Sequence, residues 1–181
     1  YDLSRRVILR QLYGFSFREY LELQTGNTYP VLTLKDIFDS TSRVDKNIGN
    51  TEKLLGHLHE YWKKGYYPTS NTISTYEAFK DTLIGIIDKT IYEDITSFYD
   101  LKTENLDILK KIVYFFATSE PGSLSINKLA NSVGKDHATI TEYVQILRDT
   151  GILRFLLIDK YGHALVRNAE KVYLDNTNLL Y

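Results

Sequence analysis

The sequence lacks cysteine altogether, so neither a disulfide framework nor a thiolate metal site can form in its 181 residues. This fits a reducing compartment, and we predict a cytoplasmic location. Methionine is also absent, which predicts a piece of a longer gene product. No apolar run approaches the roughly 20 residues that a membrane-spanning helix needs, and no signal-peptide pattern opens the chain, so no membrane partner is expected.

A surplus of one charge is missing too. The 22 Lys and Arg residues nearly balance 23 Asp and Glu residues, and the net charge of -1 gives no general attraction to nucleic acid. Hydrophobic residues make up 43% of the chain, enough for the core of one domain or of two small ones.

Catalytic and metal-binding patterns are missing as well. The chain has no Gly-rich phosphate loop and no acidic pair placed to hold magnesium. His57 and His59 are two residues apart on a predicted helix and face different directions, while His137 and His163 are isolated. We therefore expect no metal site, and the sequence of this chain alone contains no recognisable catalytic site.

What is present is helical periodicity, which predicts a mainly α fold. Residues 5–11 form a short β-prone run, and residues 26–30 break the pattern as a loop. A final short strand is expected at residues 171–174. Helices are predicted at residues 16–23, 34–38, 51–64, 75–99 and 103–118.

Residues 123–166 have the order helix, tight turn, helix and hairpin, which is typical of a winged-helix module. Gly134 ends the first helix and Asp136 can cap the second, whose apolar face runs as far as the stop at Gly151. A strand is predicted at residues 153–158, a turn at 159–162 and a returning strand at 163–166. The helix at residues 103–118 would be the first helix of the module.

A helix-turn-helix reads DNA with its second helix in the major groove, with support from the wing. Residues 104–170 nevertheless contain eight basic and eight acidic residues, and Glu142 and Asp149 lie on the reading helix itself. Since phosphate neutralisation supplies much of DNA affinity, a DNA reader and a protein-packing module both stay open. The candidate DNA-binding residues are Lys135, His137, Thr139, Thr141, Arg148, Lys160 and Arg167.

Arg5, Arg6 and Arg10 cluster beside the β-prone run near the start of the sequence. Arginines commonly decorate a solvated strand edge, and the residues alone favour this interpretation. An arginine can also meet a nucleotide γ-phosphate and stabilise charge during phosphoryl transfer.

Residues 3–6 and 12–21 are similar to the first of four motifs that occur in this order in a large group of bacterial and archaeal AAA-type P-loop ATPases. This motif is a "leucine-x-G-R" passage followed by a "leucine-S-F-x-E-F/Y" helix, although Ser4 replaces the usual glycine. The "Y-x-x-x-G-G-Y/F-P" element resembles residues 60–68. The "Y-x-x-x-L" and "K-x-Y-x-x-D/N-T-x-L" patterns resemble residues 141–147 and 171–180. The resemblance spans essentially the whole chain.

The resemblance implies a region that follows an ATPase core. It places the end of the core at residues 1–24, a helical lid at 25–100, the winged-helix domain at 101–170 and the start of a following segment at 171–181. ATP and Mg would be bound by a core ahead of Tyr1, and Arg6, or else Arg5, would sense the nucleotide. The expected fold is thus mainly α, a helical lid followed by a winged-helix domain.

By this resemblance the chain alone would not hydrolyse ATP, while the parent protein would be an ATPase. Expected partners are its own ATPase core and, if the winged helix reads DNA, double-stranded DNA. An oligomer is compatible with the family. The alternative function is a freestanding winged-helix transcriptional regulator without ATPase activity.

Overall fold

The computed structural model describes residues 8, 12–39, 53–120, 125–156 and 171–180. Over these residues the fold is mainly helical, with one two-stranded antiparallel sheet, as the sequence predicts. The expected strands at 5–11 and 163–166 and the turn at 159–162 lie essentially outside the described residues. The chain divides into two compact units, residues 1–74 and 75–181, and the segment boundaries implied by the resemblance stay predictions.

The first unit opens with helix α1 (Phe17–Thr25), whose ends follow local sequence signals. The Ser16 side chain accepts a hydrogen bond from the Glu19 backbone N–H, and the Glu19 carboxylate accepts one from the Ser16 N–H in return. Hydrogen bonds from Ser16 hold the pKa of Glu19 below its ordinary value. Gly26 ends the helix in the left-handed conformation (φ 71°), at the start of the predicted loop. Helix α2 (Leu34–Asp39) follows.

Helix α3 (Leu54–Glu60) runs directly into a π-helical turn, Tyr61–Gly65, and a 3₁₀ turn follows at Pro68–Asn71. The sequence predicts a single helix at residues 51–64 with Gly65 as its stop. Instead, Gly65 belongs to the π-helical turn, and Lys53 stands before α3 with a positive φ of 57°. Lysine lacks the freedom of glycine there, so α3 begins at a backbone position that most residues avoid.

Two hydrogen bonds connect the segment before α1 to residues in and just after this π-helical turn. The Phe15 N–H donates to the Tyr66 carbonyl at 2.8 Å, and the Tyr61 hydroxyl donates to the Phe15 carbonyl at 2.7 Å. A Cβ atom at Gly14 would lie 2.5 Å from the Tyr66 carbonyl oxygen, and one at Gly65 would lie 2.6 Å from the Tyr61 ring. Glycine is therefore required at both positions by close approach.

The second unit begins with one continuous helical stretch, formed by α4 (Tyr76–Lys89), a π-helical turn (Thr90–Asp94) and α5 (Ile95–Phe98). The helix predicted at 75–99 is confirmed. Its buried residues Phe79, Leu83, Ile91 and Ile95 are spaced by multiples of four. In an α-helix each four-residue step drifts about 40° around the axis. A π-helical turn rotates less per residue, so it brings Ile91 and Ile95 back toward the buried face.

Three further helices and the sheet follow in the part of this unit that the structure describes. Helix α6 (Thr103–Thr118) has the predicted bounds, and α7 (Ile126–Val133) and α8 (His137–Asp149) follow. Gly134 separates α7 from α8 with a φ of 70°, and Asp136 caps α8, both as predicted. Helix α6 packs against α7, α8 and the sheet, and the shared core includes Leu109, Ile112, Leu129, Ile140, Leu147 and Leu153.

The sheet joins β1 (Leu153–Leu156) to β2 (Lys171–Leu174) in antiparallel register, with Leu153 opposite Leu174 and Leu156 opposite Lys171. The strand expected last in the chain is therefore the one that pairs with β1 within the described residues. Val172 and Leu174 lie in the same core as the three helices. The two strands thus close one side of this core.

Candidate functional site

Helix α8 presents the face that the sequence assigns to recognition. His137, Thr141 and Arg148 are exposed on it, while Ile140, Tyr143, Val144, Ile146 and Leu147 are buried on the other side. Tyr143 belongs to the core and not to the outer face, and its burial raises the pKa of its hydroxyl. The exposed face also carries the carboxylates of Glu142 and Asp149.

The N-terminus of α8 is closed by its own cap. The Thr139 backbone N–H donates to Asp136 Oδ1 at 2.9 Å, and the Thr139 hydroxyl donates to Asp136 Oδ2 at 2.6 Å. These hydrogen bonds hold the pKa of Asp136 below its ordinary value. Thr139 is half-buried and its hydroxyl is occupied by the cap, so contact with a ligand would require the cap to open.

The neighbouring candidates also have partners. The Thr141 hydroxyl donates to the His137 carbonyl at 2.8 Å, and its oxygen lies 3.4 Å from His137 Nδ1. Lys135 is half-buried, and its ammonium group donates to Asn105 Oδ1 of α6 at 3.4 Å. His137 and Thr141 are thus the exposed candidates at this end of the helix.

Arg148 lies at the other end of α8 and is strongly engaged. Its Nε and Nη2 atoms donate to Asp149 Oδ1 at 3.2 and 3.1 Å, and its guanidinium lies 5.2 Å from the centre of the Phe155 ring. Gln145 donates to the same oxygen at 2.7 Å. The positive charge of Arg148 is thus largely compensated by Asp149.

The structure brings together only some of the predicted DNA-binding residues. Lys135, His137, Thr139 and Thr141 gather around the first turn of α8, whereas Arg148 follows His137 by eleven residues. At 1.5 Å per residue, about 17 Å of helix separates these two positions. Lys160, Arg167, Arg5 and Arg6 lie outside the described residues.

Two cavities were not foreseen from the sequence. One of about 580 Å³ lies between the end of α6 and β2, beside an ion pair in which Arg154 Nη2 is 2.7 Å from Asp175 Oδ1. The other, of about 310 Å³, lies in the first unit and is mostly apolar. Residues of the 171–180 segment line the first cavity, but the sequence marked this segment only by its motif. The second, apolar cavity is formed by tertiary packing, and no short sequence pattern predicts it.

Among the residues that the structure describes, no group of three or more His, Asp or Glu side chains could hold a metal ion. No helix in these same segments has the length and apolar character needed to cross a membrane.

Comparison with known proteins gives two matches. Residues 55–181 match the family model of a domain of unknown function (DUF8612). An uncharacterized protein of Methanocaldococcus jannaschii, MJ1637, is 24% identical over an alignment that covers 94% of this chain and 37% of that protein. The chain thus spans little more than a third of the length of this curated relative. No solved structure matches the chain.

Proposed function

The chain belongs to the family of the domain of unknown function DUF8612, and we propose that it is the lid and winged-helix region of a AAA-type ATPase. In this proposal the whole protein couples ATP binding and hydrolysis to a contact made by the winged helix. The observation that carries the proposal is the order α6, α7, α8, β1 and β2 around a single core. This order supports the proposal, because three helices followed by two paired strands is the order expected of a winged helix.

The electrostatics of α8 favour a protein as the contacted partner. The exposed face carries the carboxylates of Glu142 and, at the end of α8, Asp149, and the Arg148 guanidinium already pairs with Asp149. A DNA phosphate approaching this face would meet the negative charge of Glu142. A protein surface can complement such a mixed face, so we propose the ATPase core itself or a partner protein as the contact.

The experiment that tests the proposal is nucleotide hydrolysis by the whole protein. Arg6→Ala is expected to lower kcat by about tenfold or more, because an arginine at the γ-phosphate stabilises the transition-state charge. Arg5→Ala gives the same comparison for the neighbouring position. Arg10→Ala is the matched control and should leave kcat unchanged.

The 181-residue chain alone is expected to show no ATP turnover, since it has no phosphate loop. Measurable turnover by the purified chain would contradict the proposal. Equal turnover in all three arginine variants of the whole protein would remove the nucleotide-sensing role and leave the arginines as surface residues.

A second candidate function is a winged-helix regulator that binds duplex DNA. The exposed His137 and Thr141 favour it, since the N-terminal residues of a recognition helix contact base edges in this geometry. Lys135 lies at the same end and could turn toward a phosphate by giving up its 3.4 Å contact with Asn105. In this function Lys160 and Arg167 of the wing would contact the DNA backbone.

A further inference from the structure

The larger of the two cavities, in the second unit, has room for a small organic molecule. Its volume of about 580 Å³ lies within the range of roughly 300–1,000 Å³ that is typical of ligand pockets. We call it the α6–β2 cavity; its lining comes from the end of α6, the start of α7, both strands and a 3₁₀ turn at Thr177–Leu180. The described lining residues include none from α8, so the cavity is separate from the candidate recognition face.

One part of the lining is aromatic and aliphatic. The rings of Phe115 and Phe116 meet edge to face, with 5.7 Å between their centroids and 88° between their planes. Both rings are half-buried, as is the lining residue Tyr173 of β2. Leu180, which also lines the cavity, is 53% exposed. An apolar group bound here would therefore cover surface that the chain leaves partly open to water, and a further ring could pack edge to face.

Four charged side chains line the same cavity, and two of them neutralise each other. Arg154 Nε and Nη2 both donate to Asp175 Oδ1, at 3.0 and 2.7 Å. This ion pair compensates both of its charges. The other two charged lining residues are Glu120 and Lys128.

Glu120 and Lys128 have charged groups that are available to a ligand. Glu120 lies two residues after the end of α6, and Lys128 lies in the first turn of α7. Both are exposed, and neither side chain forms a hydrogen bond or an ion pair with any residue that the structure describes. One carboxylate and one ammonium group thus face the same cavity without being paired to each other.

These two opposite charges distinguish between classes of ligand. A simple carboxylic acid would be attracted by Lys128 but repelled by Glu120, and a simple amine would meet the reverse. A molecule that carries both an ammonium group and a carboxylate complements both residues, through charge-assisted hydrogen bonds. An apolar side chain on the same molecule complements the aromatic lining. An amino acid with an aromatic or large aliphatic side chain combines all three features.

We propose that the α6–β2 cavity binds a free apolar amino acid as its zwitterion. Lys128 binds the carboxylate, Glu120 binds the ammonium group, and the side chain packs on Phe115 and Phe116. The proposal does not rest on ATP hydrolysis or on DNA binding, because neither of those functions uses these residues.

The test is titration of the 181-residue chain with L-phenylalanine, followed through the backbone amide chemical shifts in NMR spectra. The shifts should change at residues 115–120, 125–128 and 172–177, which contain most of the lining. Phenylpropionate lacks the ammonium group and phenethylamine lacks the carboxylate. Each should bind about tenfold more weakly than L-phenylalanine, because each loses one hydrogen bond between charged groups.

Variants of the two charged residues make the test specific. Glu120→Gln should weaken L-phenylalanine binding about tenfold but should not weaken the binding of phenylpropionate, which has no ammonium group to lose. Lys128→Gln should have the same effect on L-phenylalanine and should not weaken the binding of phenethylamine. Both side chains are exposed, so the melting temperature should stay unchanged. Glu104→Gln and Lys111→Gln are the matched controls, since they remove exposed charges of α6 that do not line the cavity, and should bind L-phenylalanine like the wild type.

Three results would overturn the proposal. The absence of chemical-shift changes at about 10 mM L-phenylalanine would mean a Kd too weak for a specific site. Equal affinity for L-phenylalanine, phenylpropionate and phenethylamine would show that the cavity recognises only the ring. Chemical-shift changes confined to residues outside the lining would place the amino acid elsewhere on the chain.

Discussion

Gly65 illustrates how a single hydrogen atom in place of a side chain sets the packing of the first unit. The rings of Tyr20 and Tyr61 approach the position of an added Cβ to 2.8 and 2.6 Å, and the two rings also contact each other at a centroid distance of 5.5 Å. No flexible side-chain end is available to move away. Glycine is therefore required at position 65 by the packing of the neighbouring rings and not by the backbone conformation of the residue itself.

We predict that Gly65→Ala lowers the free energy of unfolding of the first unit by about 1–3 kcal/mol, the usual cost of overpacking. Gly56→Ala is the control in the same unit, because a Cβ there meets only Lys53 Cβ at 3.7 Å. Gly56 lies within α3, so alanine should stabilise by about 0.5–1 kcal/mol. Urea unfolding followed by tyrosine and tryptophan fluorescence measures both changes. An unchanged free energy of unfolding in Gly65→Ala would contradict the close packing of Gly65 against Tyr20 and Tyr61.

Asp136 gives the second unit a defined response to acid. Its pKa is lowered by the Thr139 hydrogen bonds, so its cap contributes stability above its ordinary pKa of 3.8 and loses it as the pH falls through the lower folded value. Asp136→Asn keeps a capping oxygen but does not titrate. We predict that wild-type stability falls more than that of the variant below pH 3.8, as measured by thermal melts. Parallel pH profiles would show that the cap is not formed.

The residues at helix ends could be predicted because their signals are local. Gly134 and Asp136 act on backbone groups within a few positions, and both lie where the sequence predicts a helix stop and a helix cap. The partners of the recognition candidates could not be predicted in the same way. Lys135 meets Asn105, thirty positions earlier, and Arg148 lies over Phe155 of a strand, so both depend on how the helices and sheet pack.

Among the elements, α6 holds the second unit together because it packs against α7, α8, the π-helical turn at Thr90–Asp94 and the sheet. Leu109 and Ile112 are fully buried on its inner side, whereas Tyr114 is 70% exposed. The predicted bounds of this helix are confirmed because its apolar residues follow a clean helical period.

Leu109→Ala is predicted to destabilise the second unit by about 2–5 kcal/mol, through lost burial and a residual cavity. Tyr114→Ala, on the exposed side of the same helix, should change stability by no more than about 0.5 kcal/mol. Guanidinium unfolding monitored by circular dichroism distinguishes the two. Similar losses in both variants would mean that α6 is covered on its outer side as well.

The pairing of the two strands is the part of the fold that is hardest to predict from the sequence. A short apolar run predicts a strand, but its partner depends on contacts between distant positions. The sequence expects β1 to return at residues 163–166, outside the described residues, and treats residues 171–174 as a separate final strand. The ladder that the structure describes joins residues 153–156 to 171–174. Core packing of Val172 and Leu174 supplies the reason, since both strands share one apolar face.

For the molecule as a whole, the balanced charge of the chain limits what the exposed face of α8 can bind. We predict that the 181-residue chain binds duplex DNA no more tightly than a non-specific Kd of about 10⁻⁶ M at physiological salt. Fluorescence anisotropy with a labelled duplex measures this across a salt series. Tight binding that falls steeply with salt and drops in Lys135→Ala and Arg148→Ala, but not in Lys89→Ala, would establish the DNA-binding function in place of protein contact.

The π-helical turn at Thr90–Asp94 also indicates where this helix can gain or lose one residue during evolution. An i→i+5 turn holds one residue more than an α-helical turn over the same path, so it is the geometry that a single inserted residue leaves in a helix. Removing one residue here would leave a regular α-helix. Phe79 and Leu83, before the deletion, and Ile95, after it, would still face the core. A deletion elsewhere in Tyr76–Lys89 would instead rotate everything after it by about 100°. We therefore expect homologous sequences that differ in length within this helix to carry their one-residue gap between Lys89 and Ile95.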